Sequence, residues 1–125
     1  MEEQQVYSVI GQEGFHRLVA AFYRQIPADP VLGPMYPAQD LAGAEERLRD
    51  FLIFRFGGPV TYLETRGHPR LRMRHARFIV NEQARQHWML LMDRALEESQ
   101  LPGDAQTILR EFFASTADFL KNAGD

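Results

Sequence analysis

The chain has 125 residues, 45% of them hydrophobic and 25% charged, with a net charge of −3. That is one domain's worth of chain with enough apolar residue for a single core, and its mild acidity argues against nucleic acid as a general partner. Cysteine is absent, which excludes disulfides, thiolate zinc sites, iron–sulfur ligation and thioether-linked cofactors.

No apolar run reaches the roughly eighteen residues of a membrane span. The N-terminus, "MEEQQVYSVI", is acidic and lacks the basic and apolar regions of a secretory signal, so a cytoplasmic location and no membrane partner are expected. Residues 1–125 are read as a single domain, and the periodicity is helical throughout. Phe15, Leu18, Val19, Phe22, Tyr23 and Ile26 form one helical stripe, which Pro27 ends. Asp29-Pro30 reads as an N-cap followed by proline, opening a short turn of helix, and "GPMYP" forms a tight corner carrying Tyr36. A second long helix starts at about Leu41, with Leu41, Ala44, Leu48, Phe51 and Leu52 on one stripe, and Gly57-Gly58-Pro59 stops it.

Residues Pro59 to Arg70 form a long connection with little regular pattern, and connections of that length in a small domain are usually functional. Within it, "VTYL" is the sole strand-like stretch and is too short to build a sheet. His68-Pro69 opens a short helix. Asn81 caps another, with Ala84, Trp88, Leu91, Met92 and Ala95 inward, and "SQLPGD" breaks it. Asp104 is expected to cap the last helix, whose stripe is Ile108, Leu109, Phe112, Phe113, Thr116, Phe119 and Leu120. The fold class is all-α.

The histidines His16, His68, His75 and His87 give no H-x-x-x-H and no H-E-x-x-H, so zinc and non-haem iron are poorly supported. A lone histidine suffices for haem iron, because the porphyrin supplies the other in-plane ligands. His75 lies on the stripe Leu71, His75, Phe78, Ile79, so its ring faces the interior. Two accounts fit that position: a buried histidine hydrogen-bonded to backbone, or an iron ligand. Arg70, Arg72, Arg74 and Arg77 surround it; they are either a solvated face or partners for anionic haem propionates. Tyr23 and Trp88 sit on apolar stripes and Tyr36 at a corner, where each is plain core or a polar donor in need of an acceptor.

Those residues bring a family into view. The segments "FYRQIPADPVLGPMYP", "DLAGAEERLRDFL" and "GGPVTYLETRGHPRLRMRHARF", together with the Trp88 helix, run in order from Tyr7 to about Leu120. In these segments the chain resembles the group II, or O-type, truncated haemoglobins. The resemblance implies a globin-like, truncated two-over-two helical sandwich around non-covalent haem b, iron protoporphyrin IX. It makes His75 the proximal iron ligand and Tyr23, Tyr36 and Trp88 the distal donors. Ala44 falls where many globins carry a distal histidine or glutamine, and Arg47 and Arg74 fall among the cofactor's cationic partners. Leu48, Phe51, Leu52, Phe78, Ile79 and Met92 resemble apolar pocket walls, with Tyr62 a further cofactor contact. The chain departs from the family pattern at Arg77, which replaces a usual proline, at Gly11-Gln12 in place of paired glycines, and at Arg55 and Phe56.

The implied function is reversible binding of oxygen and other diatomic ligands with slow release, for scavenging, sensing, storage or transport. A haem enzyme with peroxidase-like or nitric oxide dioxygenase activity is the alternative, since the same donors assist O–O chemistry. Alanine at position 44 supplies no acid–base group for the first of these. A reductase partner and a monomer or homodimer are also expected. A third class, a helical adaptor that binds phosphate or nucleic acid through the arginine run, would give a colourless protein.

Overall fold

The computed structural model describes residues 1–59 and 80–122. Among them are four α-helices, α1 (Val6–Gln25), α2 (Leu41–Arg55), α3 (Glu82–Ser99) and α4 (Gly103–Leu120), with short 3-10 turns at Glu3–Gln5, Ile26–Ala28 and Gly33–Met35. The described residues contain no strand. The "VTYL" stretch and the helix expected after His68-Pro69 lie outside them.

α1 is the central element and packs on both α2 and α3, while α3 packs on α4. One pair of helices thus lies over the other, the two-over-two arrangement. The chemistry of each stripe explains the contacts. Phe15, Leu18, Val19 and Phe22 are fully buried along α1, and Leu52 and Phe56 meet them from the end of α2. Met92, Ala95 and Leu96 close the core from α3, and Ala105, Leu109 and Phe113 from α4. Burying a large apolar side chain is worth about 1.5–3 kcal/mol, so these residues dominate the stability of the fold. No helix among the described residues is long and apolar enough to cross a membrane.

The helix ends follow local chemistry. α1 begins nine residues before the Phe15 stripe, and it is broken within by Gly11, at φ 67° and ψ −179°. Glycine reaches that left-handed φ without the Cβ clash that other residues meet. At the far end Pro27 has no N–H to continue the helix, and the chain tightens into a 3-10 turn. Asp29 then accepts from the N–H groups of Val31 and Leu32 at 2.9 and 2.7 Å. This makes a turn rather than the helical turn expected from Asp29-Pro30, because Gly33-Pro34 follows at once. Asn81 caps α3 as expected, its Oδ1 accepting from the Ala84 N–H at 2.9 Å.

Two expectations for α4 need correction. Pro102 is its N-cap, and Asp104 sits inside the first turn, accepting from the neighbouring Ala105 N–H at 3.0 Å. Phe119 is 53% exposed, not inward. The buried face of α4 runs through Ala105, Leu109, Phe113 and Ala117, and Phe119 is two residues out of that register.

Candidate functional site

A cavity of about 330 Å³ opens between α2, α3, α4 and the corner after α1. That is within the roughly 300–1,000 Å³ of small-molecule and cofactor sites. Its walls are apolar: Leu32 and Met35 from the corner, Leu48, Phe51 and Leu52 from α2, and Phe112, Phe113, Ala117 and Leu120 from α4. Polar groups enter at defined places. Tyr23 comes from α1, Tyr36 from the corner and Trp88 from α3, while Arg47 and Arg85 contribute guanidinium groups from α2 and α3.

Packing fixes the three aromatic donors. The Tyr23 and Tyr36 rings meet edge-on at 5.6 Å between centroids, and Trp88 is held between Phe22 and Phe113, each at 5.5 Å. Such aromatic pairs add about 0.5–1.5 kcal/mol to area burial, so the buried Tyr23 ring and the partly buried Tyr36 and Trp88 rings are oriented as well. Tyr23 is only 7% exposed. Burial, and next the neighbouring Tyr36 hydroxyl, push its phenol well above the ordinary tyrosine range, while the Arg47 guanidinium pulls the other way. Burial likewise pushes Tyr36 up to about 12, with the neighbouring Trp88 indole pulling the other way. Both phenols therefore keep their protons at neutral pH and can act as donors.

The cationic residues are partly engaged already. Arg47 Nη1 lies 3.3 Å from Asp40 Oδ2, with both side chains about half exposed. Arg85 grips Glu82 with two 2.7 Å bonds, Nε to Oε1 and Nη2 to Oε2, and also lies 3.4 Å from Asp118. The Arg85 hydrogen bonds hold the Glu82 carboxyl down to about 2. Asn122 ties this end of the cavity: its N–H donates to the Val80 carbonyl, and its Oδ1 accepts from the Val80 N–H, both at 2.9 Å.

The structure brings Tyr23, Tyr36, Ala44, Arg47, Leu48, Phe51, Leu52 and Trp88 to one cavity, although they are scattered over 66 positions of sequence. Met92 is fully buried in the core and is not among the described lining residues. The Trp88 ring, packed on Phe113, closes the cavity one turn before it. Tyr62, Arg74, His75, Phe78 and Ile79 lie outside the described residues. Sequence reasoning missed Arg85, which stands three residues before Trp88 and so shares its helix face. It placed Phe112 and Phe113 on the stripe of the last helix without a role at the site, and both reach the cavity wall. Among the described residues no group of histidine and acidic side chains is arranged to hold a metal ion.

The whole chain resembles known globins. Residues 5–122 match the bacterial-like globin family. A group 2 truncated haemoglobin of Bacillus subtilis, YjbI, is 33% identical over 116 residues, which is 93% of this chain and 87% of that one. The structure of a thermostable haemoglobin from Thermobifida fusca superposes with a TM-score of 0.90 at 44% identity, covering 94% of this chain and 97% of the other. That of a truncated oxygen-avid haemoglobin from Bacillus subtilis gives 0.88 at 32% identity, covering 94% and 98%. The chain belongs to the bacterial-like globins as a group II truncated haemoglobin, a family that binds haem and has an oxygen-binding role.

Proposed function

We propose that the cavity takes haem b through His75, and that the protein binds oxygen and other diatomic ligands there reversibly, with slow release. One observation carries this: the two phenols and the indole, from three separate elements, line a single cavity whose remaining walls are apolar apart from Arg47, Arg85 and Thr116. The residues fit the group. Phe51, Leu52, Phe112 and Phe113 supply flat apolar walls, and Arg47 and Arg85 supply cations suited to its carboxylates. A chain without cysteine leaves haem non-covalently held. Arg74, Phe78, Ile79 and Tyr62 complete the same proposed set.

Haem, when bound, would be held by His75 and would supply an iron able to bind a diatomic ligand. The chain supplies the surroundings. The neutral Tyr23 and Tyr36 hydroxyls and the Trp88 N–H are donors held in place before any ligand arrives. A donor facing an acceptor with negative charge is worth about 1.5–3 kcal/mol. Ala44, 8% exposed, puts no large side chain between the donors and the cavity space. Affinity differences among related complexes lie mostly in the off-rate, so these donors act by slowing release. The Bacillus subtilis relative, itself oxygen-avid, supports that direction. A reductase partner and a cytoplasmic location belong to the same proposal.

The visible spectrum tests the cofactor assignment. Purified protein, reduced and with carbon monoxide, is expected to show a histidine-ligated b-type spectrum, and His75→Ala to lose imidazole ligation and most of its haem. An unchanged five-coordinate histidine spectrum in His75→Ala would remove His75 from the assignment.

A further inference from the structure

Arg55 is the last residue of α2, and its side chain lies over two aromatic rings. The guanidinium carbon stands 4.9 Å from the centroid of Phe112 and 5.3 Å from that of Phe56. Both distances fall within the roughly 6 Å over which a ring face attracts a cation. Glu3 meets the guanidinium from the other side, with Arg55 Nη2 2.9 Å from Glu3 Oε2 and the Arg55 side chain 33% exposed. The backbone beneath is tied to the same N-terminal segment. Gln4 Nε2 donates to the Arg55 carbonyl at 3.2 Å, and the Tyr7 N–H donates to the Phe56 carbonyl at 3.0 Å.

Phe112 connects this surface contact to the cavity. Its ring packs edge-on to the fully buried Phe56 at 5.0 Å between centroids. It also meets Phe113 at 5.8 Å and Phe51 at 6.4 Å, and these three rings share the cavity wall. Arg55 is not among the described lining residues; it touches the wall through Phe112.

We propose that Arg55 is a positioning residue of the cavity: clamped from outside by Glu3, its guanidinium fixes the Phe112 ring against Phe51 and Phe113 and so holds that wall in shape. The consequence for retention rests on the reading of the occupant as haem. A wall held by the chain itself has less side-chain freedom to lose when the occupant binds, which favours binding. Arginine suits the task because its flat face stacks on a ring while its N–H groups remain paired with a carboxylate. Alanine at 55 removes both contacts, whereas lysine keeps the cation and the reach to Glu3.

The test reads the ring and the occupant separately. Protein with ring-labelled phenylalanine is reduced under carbon monoxide, and the signal lost in Phe112→Leu identifies the Phe112 ring. Its nuclear Overhauser contacts to Phe51 and Phe113 are expected to weaken in Arg55→Ala and to persist in Arg55→Lys. Haem loss to an acceptor protein is expected to quicken roughly two- to tenfold in Arg55→Ala, the scale of freeing one side chain. In a Phe112→Leu background Arg55→Ala is expected to add nothing, since both changes remove the same support. Wild-type ring contacts in Arg55→Ala, or contacts in Arg55→Lys as weak as in Arg55→Ala, overturn the positioning role. A full second increase in haem loss in the double variant overturns action through Phe112. A sample whose visible spectrum shows no haem overturns the cofactor reading, and the ring contacts in that sample still decide the role of Arg55.

Discussion

At the residue scale, the cavity works by placing neutral donors among apolar walls. Burial keeps the Tyr36 phenol protonated, with its value pushed up to about 12 from an ordinary 10.0. The sign of the consequence follows from linkage. A group whose folded value is raised gives stability that is fully present below its unfolded value and is lost as pH rises through the folded one. Alkaline titration is therefore expected to show Tyr36 ionising near pH 12, with folded protein losing stability between about pH 10 and 12. Phenolate absorbance of wild type against Tyr36→Phe checks it, and a Tyr36 that titrates near 10 contradicts it. Arg47 is a weaker contributor. Its side chain is 42% exposed and shared with Asp40, so a propionate contact there is worth about 0–1 kcal/mol. Arg47→Ala is expected to speed haem transfer to an acceptor protein modestly, with less effect at high salt. A change independent of salt would point to packing instead.

At the element scale, two glycines with positive φ carry different constraints. Gly57, at φ 96°, ends α2 against the N-terminal segment, and a Cβ there would stand 2.1 Å from the Gln4 carbonyl oxygen. That approach is where the Tyr7 N–H donates to the Phe56 carbonyl at 3.0 Å and Arg55 pairs with Glu3 at 2.9 Å. Gly11, at φ 67°, has nothing near its missing Cβ. Gly11→Ala is expected to cost only the backbone term of an extended, positive-φ conformation, about 1–3 kcal/mol. Gly57→Ala adds displacement of the first turn, so its denaturant midpoint should fall further; equal midpoints would show that the N-terminal segment is not held there. Much of this scale was legible in sequence. The stripes of α2 and α3 and the Asn81 cap follow from period and side-chain chemistry. The start of α1 did not, because Val6 to Gly14 contains no long apolar stripe and is ordered by docking on Phe56. Phe119 fails for the opposite reason: its residue type suits a core, yet it stands two residues out of the buried register of α4 and is half exposed.

At the scale of the whole molecule, the core and the cavity are one aromatic assembly. Rings run in contact from Tyr36 through Tyr23, Phe22, Trp88, Phe113, Phe112 and Phe56 to Phe15, with centroid spacings from 5.0 to 6.1 Å. The donors thus sit at one end of the packing that stabilises the fold, which limits how far they can move. Sequence patterns identified Tyr23 and Trp88 as inward residues with polar ends and Tyr36 as a third donor at a corner, and the family resemblance gave these three, with Ala44 and Arg47, their places around the cofactor. The cavity wall from α4 and the Arg85 contribution were not legible, since both depend on how α3 crosses α4. The most direct test of the central claim is stopped-flow oxygen dissociation from wild type, Tyr23→Phe, Trp88→Phe and the double variant. Loss of a donor worth about 1.5–3 kcal/mol predicts an off-rate roughly ten- to hundredfold faster, largest in the double variant because a neighbouring donor compensates in the singles. A double variant that released oxygen as slowly as wild type would make Tyr23 and Trp88 ordinary core residues.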